Sequence, residues 1–173
     1  MTTQPYDVIV FGATSFVGQI LTRYLFEEFG LDGKLRWAAA GRSRPKLEEV
    51  RNSLGKGAGK LTLIQADAGD EASLRKLCRS ARVVVSTVGP YASSGDPLVR
   101  VCAATGTDYC DLTGEVQWMR RMIHKYEMAA QASGAGRADY HALAGTIHQR
   151  MGRHKEAVDD YSSVLRIAPG SGA

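Results

Sequence analysis

The segment Gly12-Ala13-Thr14-Ser15-Phe16-Val17-Gly18 constrains this chain more than any other. It follows a short β-branched apolar run at residues 6–11, Tyr-Asp-Val-Ile-Val-Phe, and precedes apolar positions that recur at helical spacing. A buried strand that turns sharply into a helix needs Gly12 for the tight exit, and Gly18 lets the helix lie close on the sheet. The loop amides and the helix N-terminus then offer donors and partial positive charge to a pyrophosphate. A GxxGxxG loop would have a glycine where Ser15 stands; Ser15 keeps its amide, while its side chain either crowds a phosphate or hydrogen-bonds it. The competing reading is a glycine turn with no ligand.

The remaining pattern extends that start. The first helix covers residues 16 to about 30, with Phe16, Ile20, Tyr24 and Leu25 on one side. A second strand at 35–40 runs into Gly41, and Pro45 suits the first turn of a helix reaching about 54. A turn at 55–60 leads to a strand at 61–66, a helix at 70–79 and a fourth strand at 82–88. Asp96 followed by Pro97 reads as an N-cap opening a helix to about 105. A short strand at 109–112 and a long helix at 115–132 follow, with Met119, Met122, Ile123 and Tyr126 as its core or interface stripe. Strands alternating with helices of this length imply a parallel sheet with right-handed crossovers. The expected class is α/β: a Rossmann-type doubly wound sheet of about five strands over residues 1–134.

In such a sheet, the residue that selects the dinucleotide lies at the end of the second strand. Here that strand ends Ala40-Gly41-Arg42-Ser43-Arg44, with no carboxylate for a ribose 2′-hydroxyl. A guanidinium suits a 2′-phosphate by charge and bidentate donation. NADP is therefore expected, with NAD possible, and Arg42 leads Ser43 and Arg44 as the recognising residues. The plainer reading makes these arginines solvent-facing loop residues. Asp67, after the third strand, is placed to touch the adenine edge or to serve the approach to the next helix.

Composition excludes little beyond this. The net charge of +4 is scattered without a basic block, so nucleic acid is not an expected partner. Cys78, Cys102 and Cys110 lack metal-site spacing and read as small buried residues in a reducing compartment. No apolar run approaches the roughly 18 residues needed to span a bilayer, and no leader pattern opens the chain, so a cytoplasmic location is expected.

Beyond periodicity, three further segments carry specific residues: Val85-Ser86-Thr87-Val88-Gly89-Pro90-Tyr91, then Gly95-Asp96-Pro97-Leu98-Val99 with Cys102-Ala103, then the run from Gly106 to Glu115, Gly-Thr-Asp-Tyr-Cys-Asp-Leu-Thr-Gly-Glu. With the first loop and Ala40-Gly41-Arg42-Ser43, they resemble the saccharopine-dehydrogenase-like oxidoreductases, a group that includes the bacterial trans-acting enoyl reductases. The group's pattern is GATGxxG, AGRSxxKL, VGPYxxxGxPLVxAC and GTxYxDLTGE, in that order. The departures are Ser15 in the first loop and Asp96 where Glu is frequent. The resemblance covers about residues 6–134. It implies NADP on the first loop, Val88, Gly89, Pro90 and Tyr91 near the nicotinamide end, and Asp111, Thr113, Gly114 and Glu115 at the mouth of the site. It also implies an oxidoreductase that transfers hydride between NADPH and a small organic or lipid-linked substrate. The readings without function are packing for Tyr91 and a helix-start charge pair for Asp111 and Glu115. No Ser-x-Lys or Tyr-x-x-x-Lys proton donor stands out, so the catalytic acid is unknown.

In that family a further strand and a mixed α+β substrate domain follow the long helix. After the glycine-rich stretch at 133–137, which reads as a fusion point, residues 138–151 and 154–167 instead read as two helices. In the frame of about 34 residues of a tetratricopeptide repeat counted from Ala138, Gly145, Ala157, Tyr161 and Pro169 match, whereas His141 and Ala144 replace its Trp and Leu. A helical hairpin over 138–173 is therefore expected, packing on its own domain or recruiting a protein partner. His141, His148 and His154 are seven and six residues apart and lack the i, i+4 spacing of a helical metal pair. The competing functional reading is a cofactor-binding and interaction module without turnover.

Overall fold

The computed structural model describes residues 4–135. The expected helical hairpin over 138–173 lies outside the described residues. Five parallel strands form one sheet in the order β3-β2-β1-β4-β5: β1 (Tyr6–Phe11), β2 (Trp37–Gly41), β3 (Thr62–Gln65), β4 (Ala81–Ser86) and β5 (Asp108–Asp111). The crossovers carry α1 (Phe16–Phe29), α2 (Arg44–Ser53), α3 (Glu71–Arg79), the short α4 (Tyr91–Ser94) and α5 (Asp96–Thr105), and α6 (Val116–Ser133) follows β5. A short 3-10 turn, Ala58–Lys60, occupies the stretch expected as plain turn.

β1 is central because both its faces are apolar. Ile9 and Phe11 join one buried cluster with Leu74, Leu77, Val84, Leu98 and Val101; Val10 joins the other with Leu25, Trp37, Leu47 and Leu63. Alternation along one strand into two cores makes the sheet doubly wound. Burying a side chain such as Leu74 or Leu98 contributes about 2 kcal/mol.

Helix α1 differs from its expected face. Phe16, Ile20 and Tyr24 are exposed; the buried residues are Gly18, Thr22 and Leu25. The helix lies on the sheet through its glycine, and only small residues fit where the backbones come this close. Thr22 satisfies its buried hydroxyl by donating to the Gly18 carbonyl at 2.7 Å. Helix α6 divides the expected stripe in a similar way. Met122 and Tyr126 are buried together with Trp118, while Met119 and Ile123 face outward.

Asp96 is not the N-cap of α5. Gly95 holds that position, and a cap side chain there is displaced because the Trp118 ring packs against Gly95: a Cβ on Gly95 would lie 2.6 Å from the ring. The Asp96 carboxylate accepts instead from Lys125 Nζ at 2.8 Å and the Tyr126 hydroxyl at 2.6 Å, fastening α5 to α6. Burial raises this carboxyl, but the hydrogen bonds from Lys125 and Tyr126 and the charges of Lys125 and Arg100 outweigh it and hold it below the ordinary range. Its stabilising effect is therefore present above the ordinary carboxylate range and lost as pH falls through the lowered value. The melting-temperature difference between wild type and Asp96→Asn should hold from about pH 7 to 5 and shrink progressively as pH falls below about 4 through the lowered value. A difference that stays constant from about pH 5 down to the acid limit of the folded protein would exclude this clamp.

Candidate dinucleotide site

The carboxyl ends of β1, β2 and β4 meet at one sheet edge, where open α/β sheets receive ligands. Gly12 leaves β1 with φ +92°, and its amide and that of Ala13 donate to the Ala40 carbonyl at 2.9 and 3.0 Å. A Cβ on Gly12 would lie 2.7 Å from both Thr87 Oγ1 and Val88 Cγ2. The loop after β4 thus comes close to the phosphate loop only because residue 12 is glycine.

Ser15 turns its side chain inward. As N-cap of α1, its Oγ accepts from the Gly18 amide at 2.9 Å and donates to Thr87 Oγ1 at 3.0 Å; Thr87 in turn donates to the Gly12 carbonyl at 2.8 Å. Ser15 therefore does not crowd the space before the helix, and the amides of Phe16 and Val17, with no intrahelical acceptor, remain as donors. Ser15→Ala should lower stability by about 1 kcal/mol through loss of the cap, and leave NADPH affinity within about twofold. A tenfold loss of affinity in a binding titration would show the hydroxyl on a phosphate instead.

At the end of β2, Arg42 is exposed, and its guanidinium has no partner among the described residues; its carbonyl accepts from Gln65 Nε2 at 3.1 Å. Ser43 is the N-cap of α2 but makes no side-chain cap bond, so its hydroxyl is uncommitted. Arg44 is held differently: Nε donates to Glu48 at 2.9 Å and Nη1 to the Leu63 carbonyl at 3.0 Å. Lys46, a cation on the first turn of α2 that the residue-by-residue reading overlooked, is exposed beside them. Its signal was its place in the AGRSxxKL pattern. Asp67 accepts from the Gly69 amide at 2.8 Å, and its main chain bonds Asp70 and Ser73, so it sits in the turn that leads into α3.

On the β4 side, a cis peptide joins Gly89 to Pro90, and the Tyr91 ring points inward. It packs against Trp118 with ring centroids 5.6 Å apart, and its hydroxyl donates to the Ser86 carbonyl at 3.1 Å. Burial, chiefly, raises that phenol. Asp111 accepts from the Tyr109 hydroxyl at 2.7 Å and from the Thr113 amide at 3.0 Å, while Glu115 caps the Tyr91 and Ala92 amides. Burial and the bond to Asp111 push the Tyr109 phenol well up. The edge therefore gathers the Gly12–Gly18 loop, Arg42, Ser43 and the Val88–Pro90 backbone, while Tyr91 and Glu115 bind across to one another's loops and Asp111 binds within its own. Thr87, the hinge of the Ser15 network, stands in the Val85–Tyr91 segment that carries the resemblance, but its own type gave no signal, because a threonine at a strand end is commonplace.

Among the described residues there is no group of three or more His, Cys, Asp or Glu that could hold a metal ion, and no helix long and apolar enough to cross a membrane.

Comparison with known proteins gives this geometry a family. Residues 8–136 match the saccharopine dehydrogenase NADP binding domain. Trans-acting enoyl reductases of Mycobacterium ulcerans and Mycobacterium tuberculosis are 41% and 42% identical over 130 residues, covering 75% of this chain and 30% of theirs. The chain thus spans under a third of those relatives' length. Apo saccharopine dehydrogenase (L-Glu forming) from Saccharomyces cerevisiae shares the fold, with a TM-score of 0.55 at 21% identity over 68% of this chain and 24% of that one. The chain belongs to the saccharopine dehydrogenase NADP-binding domain family.

Proposed function

We propose that this chain binds NADP(H), with the pyrophosphate over the first turn of α1, the 2′-phosphate on Arg42 and Ser43, and the nicotinamide beside Val88–Pro90. The observation that carries this reading is the pairing of uncommitted donors at one edge: the Phe16 and Val17 amides over a loop closed by two glycines, and the Arg42 guanidinium, unpartnered among the described residues. The group fits: the two glycines let α1 and the loop after β4 close tightly around the turn, since a Cβ on either would meet protein atoms, and the free donors suit phosphate. Bound nicotinamide supplies hydride chemistry; the chain supplies orientation and charge. By analogy with the relatives' names, the domain serves an oxidoreductase of the enoyl-reductase kind; the family resemblance extends this to a small organic or lipid-linked substrate, with NADP preferred over NAD.

A second reading, cofactor binding without turnover by this chain, is favoured by the internal engagement of Tyr91, Asp111 and Glu115, which leaves these polar side chains bound within the protein. Thermal unfolding of the full chain with millimolar NADPH tests the shared part, and a clear rise in melting temperature is expected. An unchanged melt would end both readings. NADPH oxidation with enoyl or imine substrates separates them, since turnover by the chain alone excludes the second.

A further inference from the structure

Glu115 was expected at the mouth of the site, and its half-buried carboxylate is bonded to main-chain amides of the neighbouring loop. One oxygen accepts from the Tyr91 amide at 2.8 Å and the other from the Ala92 amide at 2.9 Å. Those amides begin α4, immediately after Val88-Gly89-Pro90. The carboxylate is itself held in place. The Glu115 amide donates to Thr113 Oγ1 at 3.0 Å, the Thr113 amide to Asp111 at 3.0 Å, and the Tyr109 hydroxyl to the other Asp111 oxygen at 2.7 Å. Tyr91 closes the same unit from its other end, since its hydroxyl donates to the Ser86 carbonyl and accepts from the Leu112 amide at 3.4 Å. The loop after β4 and the loop after β5 are therefore one hydrogen-bonded body, with a charge-assisted, two-point bond at its centre.

We infer that Glu115 is a positioning residue for the nicotinamide end of the cofactor, acting through the backbone of residues 89–91 and not by contact with the ring. The inference rests on the cofactor placement proposed above. A carboxylate with both oxygens on main-chain amides is not free to hand a proton to a substrate. It fixes instead where the Gly89–Pro90 turn sits. Arg42 and Ser43, at the 2′-phosphate end, share no hydrogen bond with this body. Loss of Glu115 should therefore be felt at one end of the cofactor only.

The full chain and its E115Q and E115A variants are titrated with NADPH and with 2′,5′-ADP, which carries the 2′-phosphate end without nicotinamide. The variants are expected to hold 2′,5′-ADP within about twofold of wild type and to lose about tenfold in NADPH affinity. They should also lose the fluorescence change of the reduced nicotinamide on binding. E115Q keeps the shape and one acceptor oxygen, so it should fall between wild type and E115A, and it keeps the test readable if E115A does not fold. Equal losses for both ligands, or unchanged NADPH binding, would overturn the inference alone. A wild-type chain that binds neither ligand overturns the cofactor placement and the inference together.

Discussion

Gly18→Ala should cost about 3 kcal/mol of stability, lower the melting temperature by roughly 10 °C and remove measurable NADPH binding. The added Cβ would stand 2.1 Å from the Gly12 carbonyl oxygen and 2.9 Å from Ala13 Cα, both main-chain atoms. No rotamer relieves such a contact, so α1 must move off the exit of β1, and the Phe16 and Val17 amides move with it. Gly12→Ala should behave similarly for a second reason, since its φ of +92° is a conformation that alanine adopts only with strain. Gly59→Ala is the control. Nothing lies within 4 Å of its added Cβ, so its melting temperature should be unchanged or slightly raised. Calorimetry on the three variants decides the matter, and a Gly18→Ala protein that melts with wild type would rule out the close approach of α1 to the sheet.

The same glycines explain why much of this fold was legible before any coordinates. Strand-to-helix alternation and the Gly12–Gly18 loop depend on local rules, namely period, turn chemistry and cap residues, and the five strands came out in sequence with ends within two residues. What the sequence hid is set by tertiary contact. The apolar residues Phe16, Ile20 and Tyr24 looked like a core face, but α1 is seated by Gly18 and Thr22, whose smallness carries no hydropathy signal. Asp96 before Pro97 has the form of an N-cap, but Trp118 and Tyr126, over twenty residues away, determine its role. The site shows the same division. Main-chain donors follow from the loop pattern, whereas the side-chain bonds of Ser15, Tyr91 and Glu115 depend on Thr87, Ser86 and the start of α4, which only the folded chain brings near.

Cofactor preference should rest on one side chain. Arg42 is exposed and unpartnered among the described residues, at the place where a 2′-phosphate would lie, beside the uncommitted Ser43 hydroxyl. A charge-assisted hydrogen bond is worth about 1.5–3 kcal/mol. Arg42→Ala should therefore weaken NADPH binding by roughly 10- to 100-fold and leave NADH within about twofold. Arg44→Ala should do much less, because that guanidinium is already spent on Glu48 and the Leu63 carbonyl. Arg42→Asp goes further: a carboxylate repels the 2′-phosphate and can accept from a 2′-hydroxyl, so the order of NADPH and NADH should reverse. Isothermal titration of the three variants with both nucleotides reads each effect separately. Equal losses for NADPH and NADH in Arg42→Ala would place that side chain on the pyrophosphate or in a structural role, and a larger NADPH loss in Arg44→Ala would move the 2′-phosphate from β2's end onto the face of α2.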